Sequence, residues 1–531
     1  MSEPSESVYH LGAPGILVLL VVLWVGTRPL TYAWRRPRST KLNGPPSTSR
    51  IFGLSREMKR SPDRSTMYEE WAKRYGSVYE VPVAFGHTKI VLTDPKALVH
   101  FYQSERSIYV KTHESRLFIG KIFGRGVLWA EGDTHKRQRK ALTPAFSNAA
   151  IRRLTAVFYD SAYKLKSIWD PILEAGPDGA MIEVQECLDS IGIAGFSHDF
   201  RYLEGHQSPV TVAFESLQAT EKSFLSEMVF MLAFIFPFLL GIPTARMRIF
   251  WELRRSMNVI AEGLLTKTRI EKENNVTEEL DKSAEVADAE LYMTQEEVVA
   301  QVLIQNVLLL AGLYSEYWAL IELAKHPEIQ DKLREELTRF GPVDPTWDQL
   351  VSDLPFLDAV VLEILRLHPP IGETLREAAQ DDVIPLGTPV VTPSGEMISS
   401  IAIAQGSIVS SPIRCVNRSE ALWGPDAKEF KPGRWFEVKK ETKLPAKDLQ
   451  GHHHLLTFHD GPRTCLGKSF ALTARHLYCP IAALSVLVRN FVFEFPDGPE
   501  TKIQTHVSMM PRPKVAGQNG AKVPLRVRRA E

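Results

Sequence analysis

The segment from Phe458 to Gly467, FHDGPRTCLG, constrains the fold of this chain more than any other feature of its sequence. Gly461 permits a tight backbone turn, and Arg463 places a fixed cation two residues before Cys465. The following residues, 468–472, are typical of a helix, so we expect the cysteine near a helix N-terminus, where the dipole favours a thiolate. A thiolate is both a nucleophile and a soft metal ligand, and the residues alone leave both roles open.

Composition limits the class of protein in which this segment lies. Of 531 residues, 44% are hydrophobic and 24% are charged, which is ordinary globular usage and excludes collagen-like and low-complexity classes. Lys plus Arg and Asp plus Glu both total 63, and this balance argues against nucleic acid as a partner. Four cysteines in so long a chain do not form a disulfide framework, so we expect the thiols in a reducing compartment.

The N-terminus predicts one transmembrane anchor helix. An apolar run from Leu11 to Val25 has no basic residue before it and is followed by Arg28, Arg35 and Arg36. Basic residues on that side favour a cytosolic body, and a signal-peptide cleavage pattern is not evident. A buried core helix is the alternative. We predict a membrane anchor at residues 1–27, a basic, Pro-rich linker at 28–50 and one large domain at 51–531.

The remaining pattern predicts a mainly α fold with small β sheets. Thr294 and Glu297 form a capping-box pattern before a long apolar helix that runs toward Glu322. A second apolar stretch, 228–242, fits either a buried helix pair or a patch that dips into the membrane. Alternating apolar residues and turn signals predict two hairpins, which are 78–81 with 89–92 and 390–392 with 397–403.

Three spaced motifs carry a resemblance to a known family. The pattern Phe-x-x-Gly-x-Arg-x-Cys-x-Gly at 458–467 matches the heme-thiolate signature of the cytochrome P-450 superfamily at every fixed position. Residues 363–366 resemble the family's Glu-x-x-Arg helix, and 430–434 resemble its Phe-x-Pro-x-Arg segment. The chain is similar to membrane-anchored, fungal-type members over nearly its whole length, which implies the cytochrome P-450 fold.

This resemblance also implies a cofactor and its contacts. Cys465 is the implied axial ligand of the iron in heme b, and thiolate ligation favours O–O cleavage. The residues implied to contact the heme are His135, Arg139, Arg376, Phe458, Arg463 and Gly467. In the family a buried ionic network braces the cysteine loop, and its implied members here are Glu363, Arg366 and Arg434.

The implied function is that of a heme-thiolate monooxygenase at the endoplasmic reticulum membrane, with the catalytic domain in the cytosol. Such an enzyme takes electrons from NADPH through cytochrome P-450 reductase and hydroxylates or epoxidises a hydrophobic small molecule, such as a terpenoid of secondary metabolism. Membrane lipid is the other implied partner. We expect the reductase to dock by charge steering on a face formed by Lys136, Arg137, Lys140 and Lys468.

One helix departs from the family's pattern. Members of the family carry an acid and an alcohol there, which deliver protons to oxygen. When the chain is aligned on Ala311-Gly312, Tyr314 holds the acid position and Ser315 holds the alcohol position. When it is aligned on the downstream segment 322–327, the two positions fall within 310–312, which has no proton donor. Neither alignment restores the acid–alcohol pair.

Three hypotheses follow from this departure. In the first, Ser315 carries the protons together with Tyr314, Glu316 or ordered water. In the second, the protein is a heme-thiolate isomerase or dehydratase that does not use O2. In the third, it is a heme-binding protein of low activity. The histidine run 452–454 suggests no metal site, because adjacent histidines on a loop point apart.

Overall fold

The computed structural model describes most of the chain that follows the predicted anchor. The described residues are 38–183 except 177, 293–341, 343–438, 445–468, 478–506, 512–518 and 522–530, with parts of 239–266. The predicted anchor at 1–27, most of the apolar stretch 228–242 and most of the predicted helix at 468–472 lie outside these residues. Within the described part of the chain, no helix is both long enough and apolar enough to cross a membrane.

Helices dominate the described residues. In chain order they are α1 (Ser55–Arg60), α2 (Arg64–Tyr75), α3 (Pro95–Gln103), α4 (His113–Ile122), α5 (Gly132–Leu142), α6 (Asn148–Glu174), α7 (Gln295–Lys325), α8 (Pro327–Thr338), α9 (Trp347–Ser352), α10 (Pro355–Leu367), α11 (Ile413–Asn417), α12 (Glu420–Trp423), α13 (Arg434–Val438) and α14 (Tyr478–Asn490). The predicted capping box is confirmed at the start of α7, where the Thr294 hydroxyl accepts from the Glu297 amide and the Glu297 carboxylate accepts from the Thr294 amide.

The strands form small sheets. They are β1 (Val78–Pro82), β2 (Thr88–Leu92), β3 (Tyr109–Val110), β4 (Ala180–Glu183), β5 (Thr374–Ala378), β6 (Asp382–Val391), β7 (Met397–Ile403), β8 (Ile408–Ser411), β9 (Phe491–Glu494), β10 (Ile503–His506), β11 (Arg512–Val515) and β12 (Pro524–Arg529). The largest described sheet has the order β1-β2-β8-β5-β3, and β4-β12-β9 form another. Both predicted hairpins are confirmed, as β1–β2 and β6–β7, and so is the mainly α fold with small sheets.

The core lies where α7 packs against α10, α14 and β9. Trp318 of α7 stacks on the His368 ring just after α10, with 3.8 Å between ring centroids. The His368 Nε2 lies 2.8 Å from a carboxylate oxygen of Glu322, one turn further along α7. Aromatic stacking and this hydrogen bond together fix α7 against the end of α10, which is the helix that carries Glu363 and Arg366.

Candidate active site

The loop that holds Cys465 is fixed by backbone hydrogen bonds and by one obligatory glycine. The Cys465 amide donates to the Phe458 carbonyl at 2.8 Å, and the Thr464 amide donates to the Gly461 carbonyl at 3.1 Å. Gly461 has a φ of +62°, and a Cβ there would lie 2.4 Å from the Tyr102 carbonyl oxygen. A side chain would therefore push the loop away from the end of α3.

The sulfur of Cys465 is turned toward hydrogen-bond donors. Burial raises the pKa of this thiol above its ordinary value, and the backbone amides of Gly467 and Lys468 and the charge of Arg139 offset part of that rise. A Cβ on Gly467 would lie 3.7 Å from the sulfur, which is an ordinary van der Waals contact. The donors favour the thiolate, which is the form that binds a soft metal.

Five buried or partly buried charged side chains lie beside the cysteine loop, and we call them the charge cluster: Lys111, Glu105, Glu131, Arg376 and Arg463. The Arg376 Nε lies 2.8 Å from Glu105 Oε1, and the Lys111 Nζ lies 3.1 Å from Glu131 Oε1. Arg463 also pairs with Glu131 and donates to the Ala130 carbonyl at 3.2 Å. The cluster holds three basic side chains and two carboxylates.

The basic side chains of the charge cluster lie close enough together to disfavour further positive charge among them. Burial, with Arg463 and Arg376 nearby, lowers the pKa of Lys111 to about 6. Burial, with Lys111 and Arg139 nearby, lowers the pKa of His135 to about 4. Lys111 is therefore mostly neutral at pH 7 until further negative charge comes close to it. An anionic group would be stabilised here, and two carboxylates beside a metal bound to sulfur fit this arrangement.

The predicted contacts on α5 lie at the same place. His135 and Arg139, four residues apart, both line a cavity of about 260 Å³ beside Arg463. Lys136 and Lys140, two of the expected docking residues, line it as well. Arg137 does not line this cavity, and its guanidinium binds the Glu297 carboxylate, with one N–O distance of 3.0 Å. The docking face stays a prediction.

Glu363, Arg366 and Arg434 form one buried network. The Arg366 Nε donates to Glu363 Oε2 at 2.9 Å, and the Arg434 Nε donates to Glu363 Oε1 at 3.4 Å. Glu363 also accepts from the Trp435 indole at 3.1 Å, and Arg434 reaches Asp426 at 2.7 Å. Glu363 and Arg366 have no exposed surface, so each charge depends on these partners.

Tyr314, Ser315 and Glu316 are all buried in α7, but they do not form one group. Tyr314 packs its ring edge against Trp318 on the side of α10. Each residue turns a helix by about 100°, so Tyr314 and Glu316 point to nearly opposite sides. The Ser315 hydroxyl and both Glu316 carboxylate oxygens have no hydrogen-bond partner among the described residues. Burial raises the pKa of Glu316 to about 8.

Sequence analysis missed several residues of this site. Lys111 and Glu105 belong to no motif, and Glu131 lies in the stretch 129–139 that resembles the family's heme-edge helix without a role assigned to it; only the fold brings the three to the cysteine loop. His459 lies inside the motif, has a φ of +57° and places its Nε2 3.1 Å from the Thr374 hydroxyl. The contact joins the cysteine loop to β5. It could not be predicted from the motif, because His459 occupies a position that the motif does not fix.

The fold and the site together define a protein that presents a partly buried cysteine sulfur beside basic side chains, an arrangement that can bind an anionic prosthetic group. Comparison with known proteins gives the family. The protein-family model described as Cytochrome P450 matches residues 44–516. The chain therefore belongs to the cytochrome P450 family.

Individual relatives agree with this assignment. "Cytochrome P450 monooxygenase claQ" of Ampulloclitocybe clavipes is 53% identical, with 99% of each chain covered, and "Cytochrome P450 monooxygenase claP" of the same species is 52% identical over 99% of each chain. "Cytochrome P450 monooxygenase 205" of Postia placenta (strain ATCC 44394 / Madison 698-R) is 31% identical over 97% of each chain. The predicted enzyme class, a cytochrome P450 monooxygenase, is confirmed.

We predict that Arg366→Ala lowers the free energy of unfolding by about 3–5 kcal/mol, because it leaves the buried Glu363 charge without its main partner. The control is Arg339→Ala, which breaks an exposed pair with Glu335 at 3.7 Å and should cost less than about 0.5 kcal/mol. Urea unfolding followed by circular dichroism measures both. Equal losses in the two variants would contradict a central role for the network.

We also predict a pH dependence that comes from Glu316. Its pKa lies above the ordinary 4.5, at about 8, so the folded protein holds a proton that the unfolded chain releases between these values. The stability from this group is complete below pH 4.5 and is lost as the pH rises through 8. Relative to Glu316→Gln, the wild type should lose up to about 1.4 kcal/mol per pH unit in this window. Glu335→Gln is the exposed control, and parallel curves for wild type and Glu316→Gln would refute the assignment.

Proposed function

We propose that this protein is a heme-thiolate monooxygenase that inserts one oxygen atom from O2 into a hydrophobic small molecule by hydroxylation or epoxidation. The observation that carries the proposal is the Cys465 sulfur, which accepts hydrogen bonds from backbone amides, beside a cavity lined by His135, Arg139 and Arg463. A sulfur ligand for iron and cations for two propionates are features by which a protein can hold heme b with thiolate ligation. The likeness to relatives named as monooxygenases supports the same activity.

Each side chain has a defined part in this proposal. Heme b, when bound, supplies the oxygen chemistry, which an axial thiolate favours. Cys465 provides that ligand, and the amides of Gly467 and Lys468 stabilise the charge on its sulfur. The residues that would neutralise the propionates are His135, Arg139, Arg376 and Arg463, together with Lys111. The network of Glu363, Arg366 and Arg434 keeps the loop in place, and Phe458 packs beside it.

Proton supply is assigned to α7. Glu316 is protonated at neutral pH, because its pKa is about 8, and its carboxyl oxygen can therefore donate a proton. The Ser315 hydroxyl is the adjacent group that can accept and pass on a proton. Both groups are buried and have no hydrogen-bond partner among the described residues, so their protons are not held in other hydrogen bonds there. Tyr314 lies on the opposite side of the helix from Glu316 and is the weakest of the three candidates.

The proposed electron source is NADPH, through cytochrome P-450 reductase. Lys136 and Lys140 are exposed on α5, and Lys468 follows the cysteine loop, so an acidic partner surface could be steered to this face. We further propose that residues 1–27 anchor the enzyme in the endoplasmic reticulum membrane with this domain in the cytosol. A hydrophobic metabolite of secondary metabolism, such as a terpenoid, is the proposed substrate class.

The decisive experiment is oxygen uptake by the full-length protein with NADPH and reductase, in the presence of a panel of terpenoids and other apolar small molecules. We expect uptake that requires both reagents, leads to an oxygenated product, weakens as ionic strength rises and disappears in Cys465→Ser. Uptake that does not change with ionic strength would contradict the docking face.

Ser315→Ala and Glu316→Gln should lower product formed per NADPH by at least about tenfold, whereas Tyr314→Phe should change it little.

Two other outcomes would overturn the monooxygenase proposal. Conversion of an oxygenated substrate without NADPH or O2 uptake would assign an isomerase or dehydratase. Heme binding with neither kind of turnover would leave a heme-binding protein of low activity, as the altered sequence of α7 also allows.

A further inference from the structure

Glu105 is a buried carboxylate at the centre of the charge cluster, and none of the roles above requires it. It follows the C-terminal end of α3 and its side chain has no exposed surface. Its Oε1 lies 2.8 Å from the Arg376 Nε, yet neither carboxylate oxygen receives a well-aligned hydrogen bond from the described residues. A carboxylate buried this completely is rare unless it is paired.

The main chain of Glu105 contacts the cysteine loop as well. The Arg463 Nε donates to the Glu105 carbonyl at 3.3 Å. One turn earlier in sequence, the Tyr102 carbonyl lies against Gly461, where no side chain fits. Glu105 therefore lies between the two arginines proposed to bind propionates, with its carboxylate on Arg376 and its carbonyl on Arg463.

We propose that Glu105 is a positioning residue that fixes the direction of the Arg376 guanidinium and holds one negative charge beside the cysteine loop. This inference rests on the proposed heme site. The negative charge is buried, where the local dielectric is low, so it acts over a longer distance than a surface charge does. It stabilises the more positive, ferric state against the ferrous state and so lowers the reduction potential.

The pairing also explains why a carboxylate is tolerated beside a site for anions. Arg376, Arg463 and Lys111 all lower the pKa of Glu105 against the larger effect of burial, which raises it. Without Glu105, the Arg376 guanidinium would lose the partner that fixes its direction, and it could adopt other rotamers. Heme would then be held by a less ordered cation, and its release would become faster.

The test compares Glu105→Gln, Glu105→Asp and the exposed control Glu335→Gln in the heme-loaded, full-length protein. Spectroelectrochemical titration gives the reduction potential, and transfer to apomyoglobin gives the rate of heme release. For Glu105→Gln we expect a potential raised by about 59 mV, which is tenfold in the equilibrium constant of a one-electron couple, and heme release about tenfold faster. For Glu105→Asp, which keeps the charge, the equilibrium constant of reduction should stay within about twofold of the wild-type value. Glu335→Gln should match the wild type in both reduction potential and heme release.

Several results would overturn the inference. An unchanged potential in Glu105→Gln would do so, and so would an equal shift in Glu105→Asp, because a packing role would affect both. If Glu105→Gln folds by circular dichroism but takes up no heme while Glu105→Asp loads normally, the charge requirement stands; if neither loads, the role is packing. Failure of the wild type to bind heme through Cys465 would instead defeat the proposed function and this inference with it.

Discussion

The buried pair of Glu363 and Arg366 is the interaction on which the position of the cysteine depends. Arg366 binds Glu363 and also donates to the Asn417 carbonyl at 2.9 Å. The Asn417 amide donates to the Thr457 hydroxyl at 2.8 Å, and this hydroxyl donates back to the carbonyl of Leu365. Thr457 directly precedes the cysteine loop. Hydrogen bonds through Asn417 and Thr457 thus connect the charge pair in α10 to the segment that presents the sulfur. The loss of either charge would leave the other uncompensated.

The second determinant of the site is electrostatic. The cysteine loop lies beside a cluster in which burial, Arg463 and Arg376 lower the pKa of Lys111. An anionic group bound there would favour the protonated form of Lys111, so its binding and the protonation of Lys111 are coupled. Glu105 and Glu131 limit this repulsion and give the arginines fixed directions. The same fold therefore supplies a thiolate ligand, cations for the propionates and buried anions that order those cations.

Sequence alone predicted the features whose cause is local. The capping box at Thr294, the hairpins and the turn at Gly461 each depend on a few neighbouring residues, and each is present. The partners of Glu363 came from the family resemblance and not from spacing. Lys111, Glu105 and Glu131 could not be predicted, because separate segments bring them together only in the folded chain. Helix periodicity alone places Tyr314 and Glu316 on different sides of α7. The ion pair of Arg137 with Glu297 could not be predicted, because the two residues are distant in sequence.

The central claim is that Cys465 binds heme iron as a thiolate in this fold. The measurement that tests it most directly is the absorption spectrum of the expressed protein after reduction and exposure to carbon monoxide, with Cys465→His as the comparison. The account predicts the thiolate-type band for the wild type and its loss in the variant. A histidine-type band in the wild type, or a folded protein that holds no heme, would contradict the account.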